Sequence, residues 1–209
     1  MNDNSLEARN KKGPKPGLKP PSQIEDKGNH AAIIIFKHGI RYECLIDKAD
    51  IPLVAGAKWL INQKMRVHKF GHNEDRKTMW LINRFLLRPP NGYVVDHINR
   101  DILDNRRSNL RIVTWQQSAM NRGIRSGKLF KGIHAYKTKD KSRISCWAAR
   151  ISLGYGVNDH RVIGYFKTPE EAAEAYDIEA LKKYGEYACI NFPEKRQEYL
   201  KANFVDNSK

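Results

Sequence analysis

The chain has 209 residues and a formal net charge of +15, from 38 Lys/Arg against 23 Asp/Glu. That length allows one or two domains with a core in each, and a surplus of positive charge on this scale points to a polyanion, DNA or RNA first. No run of eighteen apolar residues exists and the N-terminus has no apolar signal region, so neither a spanning helix nor export is expected and the setting is a cytoplasm. Cys44, Cys146 and Cys189 lie far apart with no CxxC pair. No structural zinc is therefore expected, and so sparse a count suits a reducing compartment.

Residues 1 to 28 are polar and broken by Gly and Pro, and read as a disordered basic tail. Ala31 to Phe36 and Ile40 to Ile46 read as two strands around Lys37-His38-Gly39. Ile51 to Ala55 is a connector or helical turn, and Lys58 to Ile61 with Met65 to Phe70 form a second strand pair. Thr78 to Leu87 is expected to be helical: Met79, Ile82, Asn83 and Leu86 keep helix spacing, and Pro89-Pro90 ends it. A short apolar run, Tyr93 to Val95, then ends in Asp96-His97. A turn rich in Asn, Asp and Arg follows, then Leu110 to Val113, then a helix opening at Thr114. A carboxylate beside an imidazole suits metal-assisted cleavage of a phosphodiester: the carboxylate anchors a cation and the imidazole takes a proton from water.

The connector from Met120 to Phe130 carries Arg122, Arg125 and Lys128 between glycines. It reads as a solvated linker or, between two DNA-binding units, as a strap along a phosphate backbone. Residues 131 to 193 form a β-β-β-α pattern with strand candidates Lys131 to Lys137, Arg143 to Leu153 and His160 to Phe166. Thr168-Pro169-Glu170-Glu171 opens a helix with a capping box and Pro at the first helical position, and Gly185 ends it. Ala173, Tyr176, Ala180 and Tyr184 share a helix face whose small residues allow close approach to a sheet. Charge is divided: Arg100 to Arg161 holds fourteen Lys/Arg and four Asp/Glu, whereas Glu170 to Glu179 holds five acids and no base.

Asp96-His97, Asn109 within Ser108-Asn109-Leu110-Arg111, and the helix after them resemble the ββα-metal site of HNH endonucleases, most closely the phage homing-endonuclease branch. The resemblance spans about residues 31 to 122 and includes Trp80 to Leu87 and Pro89-Pro90-Asn91-Gly92. It implies that Asp96 is a metal ligand, that His97 is the general base, and that Asn109 holds the loop so the His97 ring keeps its orientation. The family's last motif residue, an Asn or His ligand twenty-one positions after the histidine, falls here on Ser118. Asn121, one turn further, is the alternative ligand. Hard oxygen donors imply Mg²⁺ or Mn²⁺. Asn83, where the family often has His, receives no catalytic role.

Lys131-Gly132-Ile133, Trp147 to Ile151, Ile163 to Phe166, Glu171-Ala172-Ala173, Ala175-Tyr176-Asp177 and Asn191-Phe192-Pro193 resemble the DNA-binding domain of plant ethylene-response factors, which also occurs fused to phage HNH nucleases. That resemblance implies a three-stranded sheet in the major groove backed by a helix. Its DNA-facing positions fall on Lys131, His134, Tyr136, Arg150, Ser152 and His160, with Trp147, Ala149 and Ile151 turned to the helix. Arginines of the plant domains are replaced at several of these, so the plant target sequence does not carry over.

The expected fold class is α+β: a β-rich unit ending in the ββα motif (29 to 122), a basic linker (123 to 130), a sheet-on-helix module (131 to 193) and a C-terminal tail (194 to 209). The expected function is a homing-type endonuclease on double-stranded DNA, phage-encoded and acting in a bacterial cytoplasm. With one metal site per chain and no dimerising stripe, a monomer that nicks or cuts sequentially is expected. The rival is an HNH relic serving as a sequence-specific regulator, which Ser118 favours. An RNA-binding reading rests on charge alone.

Overall fold

The computed structural model describes residues 20–73, 76–139, 143–152 and 160–204. The chain divides into two compact units, one ending at Ile82 and the other starting at Asn83. The fold is α+β, built from small antiparallel sheets. Among the described residues no helix is long and apolar enough to cross a membrane.

The first unit contains β1 (Ile24–Asp26), β2 (Ala31–Lys37) and β3 (Ile40–Ile46), paired antiparallel in that order. His38 and Gly39 both have positive φ (50° and 79°), as a two-residue hairpin turn matched to strand twist requires. A short helix, α1 (Ile51–Val54), precedes a second sheet of β4 (Leu60–Ile61), β5 (Val67–Asn73) and β6 (Arg76–Leu81). Ala31 to Ile35 of β2 and Trp59 are buried, and the Trp59 indole donates to the Val54 carbonyl at 3.0 Å.

Two expectations change here. Residues 24 to 26 belong to the fold rather than to a tail, because they complete the edge of β2. Lys27 joins them through ion pairs to Glu25 and Glu43 at 3.0 and 3.1 Å. Residues 1 to 19 of the expected tail lie outside the described residues. Thr78 to Leu81 is strand rather than helix, and only α2 (Ile82–Leu87) is helical. Pairing of Gly71 with Thr78 through His68 with Leu81 overrides the local spacing, which Met79 matched by coincidence.

In the second unit β7 (Tyr93–His97) and β8 (Leu110–Thr114) form an antiparallel pair, followed by α3 (Trp115–Met120). β9 (Ile133–Lys137), β10 (Ile144–Ser152) and β11 (His160–Phe166) form a sheet in the order β11-β10-β9, with α4 (Pro169–Tyr184) across it. Ile133, Ala149 and Ile151 meet Ala172, Ala173, Tyr176, Ala180 and Leu181, with Trp147 packed at the margin. The small alanines let the Tyr176 ring reach the start of β9. There Gly132 has φ +78°, and a Cβ at that position would lie 2.2 Å from the ring, so only glycine fits. The Thr168 capping box with Glu171 is formed.

The expected tail beyond residue 194 contains another helix, α5 (Arg196–Phe204). Tyr199 is its anchor, buried in the same core as Tyr176. Asp177, fully buried on α4, holds the preceding segment: it accepts from the amides of Asn191 and Phe192 at 2.7 to 2.8 Å and from the Asn191 side chain at 2.9 Å. Asn191 in turn receives the Lys131 amide at 2.7 Å. The Asn191-Phe192-Pro193 signature is therefore a clasp between the helix and the first strand of the module.

Candidate active site

The register of β7 and β8 sets Asp96 opposite Arg111 and His97 opposite Leu110. Side chains alternate along a strand, so Asp96 faces α3 while His97 faces the other way, towards the loop between the strands. Thr114 caps α3 in a capping box with Gln117, which fixes the helix start directly after β8. Ser118 and Asn121 then fall one turn apart on the side facing Asp96.

All three side chains meet. The Ser118 hydroxyl donates to Asp96 Oδ1 at 3.2 Å, and Asn121 Nδ2 donates to Asp96 Oδ2 at 3.0 Å and to the His97 carbonyl at 2.8 Å. Both candidate ligands from the helix therefore reach the carboxylate, although Asn121 does so through its amide nitrogen. Arg111 pairs with Asp96 Oδ2 through Nε and Nη2 at 3.1 and 3.0 Å.

The loop is rigid by construction, which explains its Asn/Asp/Arg composition. Asn109 is buried; its Oδ1 accepts from the Asn99 amide at 2.9 Å and its Nδ2 donates to the Asp104 carbonyl at 2.8 Å. Asp104, buried, is clamped by Arg106 through both carboxylate oxygens at 2.7 Å and accepts from Asn99 Nδ2 at 3.0 Å. The Arg106 guanidinium holds the Asp104 carboxyl below its usual range. Short side chain-to-backbone bonds of this kind (Asn99 to Asp101, Asp101 to Leu103) are how such residues shape turns.

The His97 ring touches a residue that sequence reasoning missed. His97 Nε2 lies 3.2 Å from Asn105 Oδ1, and Asn105, fully buried, is itself held by Nδ2 donating to the Ile102 carbonyl at 3.2 Å. An amide oxygen can only accept, so Nε2 carries the proton and Nδ1 is left with its lone pair free to act as base. Burial lowers the His97 pKa below the ordinary histidine value, while Asn105 and the charges of Asp96, Asp101 and Asp104 oppose that shift. The ring is oriented, and burial disfavours its charged form.

The donor chemistry on the α3 side suits a hard divalent cation: one carboxylate (Asp96) and one hydroxyl (Ser118) meet there, and the Asn121 amide lies against the same carboxylate. Among the described residues no three of His, Cys, Asp and Glu gather as a metal cluster, so the set is one anion with neutral groups.

On the C-terminal sheet, His134 and His160 are exposed, and Tyr136 and Arg150 are half-buried. The Arg150 guanidinium contacts the Tyr136 hydroxyl. Tyr165 stands edge-on to Tyr136 with ring centroids 5.6 Å apart and is 61% exposed. It belongs to this outer face by its pairing with Ala148; strict alternation from His160 would place it on the helix side, and a register irregularity between Ala149 and Arg150 reverses the parity. Ser152 is half-buried, and its carbonyl accepts from Lys183 Nζ and the Tyr184 hydroxyl at 2.7 and 2.8 Å. Lys131 departs from the expected outward set: it precedes β9, and its ammonium donates to the carbonyls of Met120 and Arg122 at 2.8 and 2.7 Å. Its charge is spent on fastening the connector, and burial lowers its pKa. Arg122, Arg125 and Lys128 of that connector are exposed.

Comparison with known proteins points to the same segment of the chain. Residues 88–120 match the family model of the HNH endonuclease, a window containing β7, β8, α3 and the residues Asp96, His97, Asn109 and Ser118. An uncharacterised HNH endonuclease of Acanthamoeba polyphaga mimivirus is 28% identical over 150 residues, covering 67% of this chain and 70% of that protein. No solved structure matches the chain. The likeness to HNH endonucleases is carried by the strand-loop-strand-helix segment just described.

Proposed function

We propose that the protein is a DNA endonuclease that hydrolyses a phosphodiester with one divalent metal, Mg²⁺ or Mn²⁺, held by Asp96 with Ser118 and Asn121, and with His97 as general base. The carrying observation is the opposed presentation of Asp96 and His97 from adjacent positions of one strand, with the helix side chains closing on the first and the Asn105 amide closing on the second. A bound cation offsets charge on the scissile phosphate and the leaving oxygen. His97 Nδ1 takes a proton from the attacking water, Asn105 keeps the ring in the tautomer that allows it, and Asn109 keeps the loop that carries Asn105 in place. The family reaction leaves a 5′-phosphate and a 3′-hydroxyl.

The C-terminal sheet supplies affinity and register in this reading. His134, Tyr136, Arg150 and His160, joined by Tyr165, offer polar and aromatic groups for base edges and sugars. Arg122, Arg125 and Lys128 track phosphates. The ethylene-response-factor likeness supports this use of the sheet, and the phage homing likeness supports a free-standing or intron-borne selfish enzyme acting as a monomer in a host cytoplasm. The second reading, a DNA-binding regulator that has lost its chemistry, is favoured by Ser118 in place of the family's amide or imidazole ligand. Supercoiled plasmid containing the cognate site, incubated with Mg²⁺ or Mn²⁺ and with chelator, separates the two. Metal-dependent nicked or linear product supports the enzyme, and binding without product supports the regulator.

A further inference from the structure

We propose that Arg111 is a positioning residue that sets how tightly Asp96 holds a divalent cation, and that the Gly185–Tyr187 turn of the C-terminal module governs it. This rests on Asp96 as the metal carboxylate. Arg111 faces Asp96 by strand register, and two of its three guanidinium nitrogens, Nε and Nη2, fall on the single oxygen Oδ2, leaving Oδ1 to Ser118. The pair is shielded, with side chains 14% and 11% exposed. The guanidinium is gripped from its other side by the 3₁₀ turn after α4. The Tyr187 ring lies 4.6 Å from Arg111 Cζ, and Nη1 makes a long hydrogen bond to the Glu186 carbonyl at 3.4 Å.

An exposed arginine–aspartate pair wanders and contributes little. Here a stacked aromatic face, a backbone acceptor and a fixed strand register hold the guanidinium over the carboxylate. A permanent positive charge therefore sits on the one anionic group of the metal set. A divalent cation arriving at Asp96 shares that carboxylate with the guanidinium, and two like charges in a shielded site repel. Cation affinity is consequently lower than Asp96, Ser118 and Asn121 alone would give, and it rises when the arginine is loosened. The turn that loosens it belongs to the module assigned to DNA, so Arg111 links that module to the metal carboxylate.

The test is a Mn²⁺ titration of the full-length chain without DNA, with free Mn²⁺ read by electron paramagnetic resonance and folding checked by circular dichroism. Arg111→Gln binds roughly tenfold more tightly than the native chain, the effect of removing one unit charge beside the cation in a partly shielded site. Tyr187→Leu gives a smaller gain, and Arg111→Lys, which keeps the charge, stays within about threefold of native. A folded Arg111→Gln chain with unchanged or weaker binding overturns the proposal. If that variant does not fold, native-like affinity in Tyr187→Leu overturns it. Undiminished Mn²⁺ binding by Asp96→Asn overturns instead the reading of Asp96 as the metal carboxylate, so the two failures are distinguishable.

Discussion

Asp177 and Asp96 are both shielded carboxylates of the unit that begins at Asn83, and their surroundings differ in kind. Asp177 is fully buried, and its contacts are N–H groups of Asn191 and Phe192, two of them backbone. Burial pushes its pKa up while those hydrogen bonds and the charge of Lys131 pull it down. Asp96 is ringed by side chains instead: the Ser118 hydroxyl and the Asn121 amide, which can turn away, and the Arg111 guanidinium, which Tyr187 and the Glu186 carbonyl hold. A carboxylate wired to backbone amides holds chain segments together, since those donors have nowhere else to go. A carboxylate surrounded by rotatable side chains can exchange them for a ligand. That difference separates a structural clasp from a candidate metal site within one module.

The comparison breaks first if Asp177 proves dispensable. Asp177→Ala strands the part-buried amides of Asn191 and Phe192 and is expected to lower unfolding stability by about 2–4 kcal/mol, measured by denaturant melts; a loss no larger than at an exposed site contradicts the clasp. Asn105→Ala is expected to slow nicking about 10- to 100-fold while Mn²⁺ affinity and DNA binding stay near native, because it releases the His97 ring without touching the metal side. Single-turnover kinetics beside a binding titration would show it, and an unchanged rate would remove Asn105 from the site. Arg150→Ala is expected to weaken cognate DNA by about 1–3 kcal/mol and random DNA by less, if the guanidinium reaches a base edge. Equal losses in gel-shift titrations would make it a phosphate contact.

The smallest effect is in pH. A lowered His97 pKa keeps the ring neutral, and so able to accept a proton, at pH values where an ordinary histidine is already charged. The acid limb of the nicking rate should therefore have its midpoint below 6.5, the unperturbed value. Activity is retained as pH falls to 6.5 and lost only below it. A midpoint above 6.5 would mean that the acidic neighbours Asp96, Asp101 and Asp104 dominate over burial.

What was legible in the sequence was local or fixed by spacing. The Thr168 capping box needs only four residues, and Asp96, His97, Asn109 and Ser118 sit at intervals that one hairpin and one helix preserve. Asn105 was not legible because its contact with His97 depends on how an irregular twelve-residue loop closes on itself. Arg111 was seen as part of a motif but not as a partner of Asp96, because strand register across that loop is a tertiary outcome. Residues 78 to 81 were misread since a four-residue segment can satisfy helical spacing and still find a better partner in β5. α5 was missed because its anchor is short: Tyr199 is buried and Leu200 packs beside it, too few apolar positions to mark a helix.

The most direct test of the division of labour is to measure Mn²⁺ binding and plasmid nicking together on the native chain, Asp96→Asn and His97→Ala. The account predicts that Asp96→Asn loses both, while His97→Ala keeps metal and DNA binding and loses nicking by about 10²- to 10⁴-fold. Native-like nicking by His97→Ala, or native-like Mn²⁺ binding by Asp96→Asn, would contradict it.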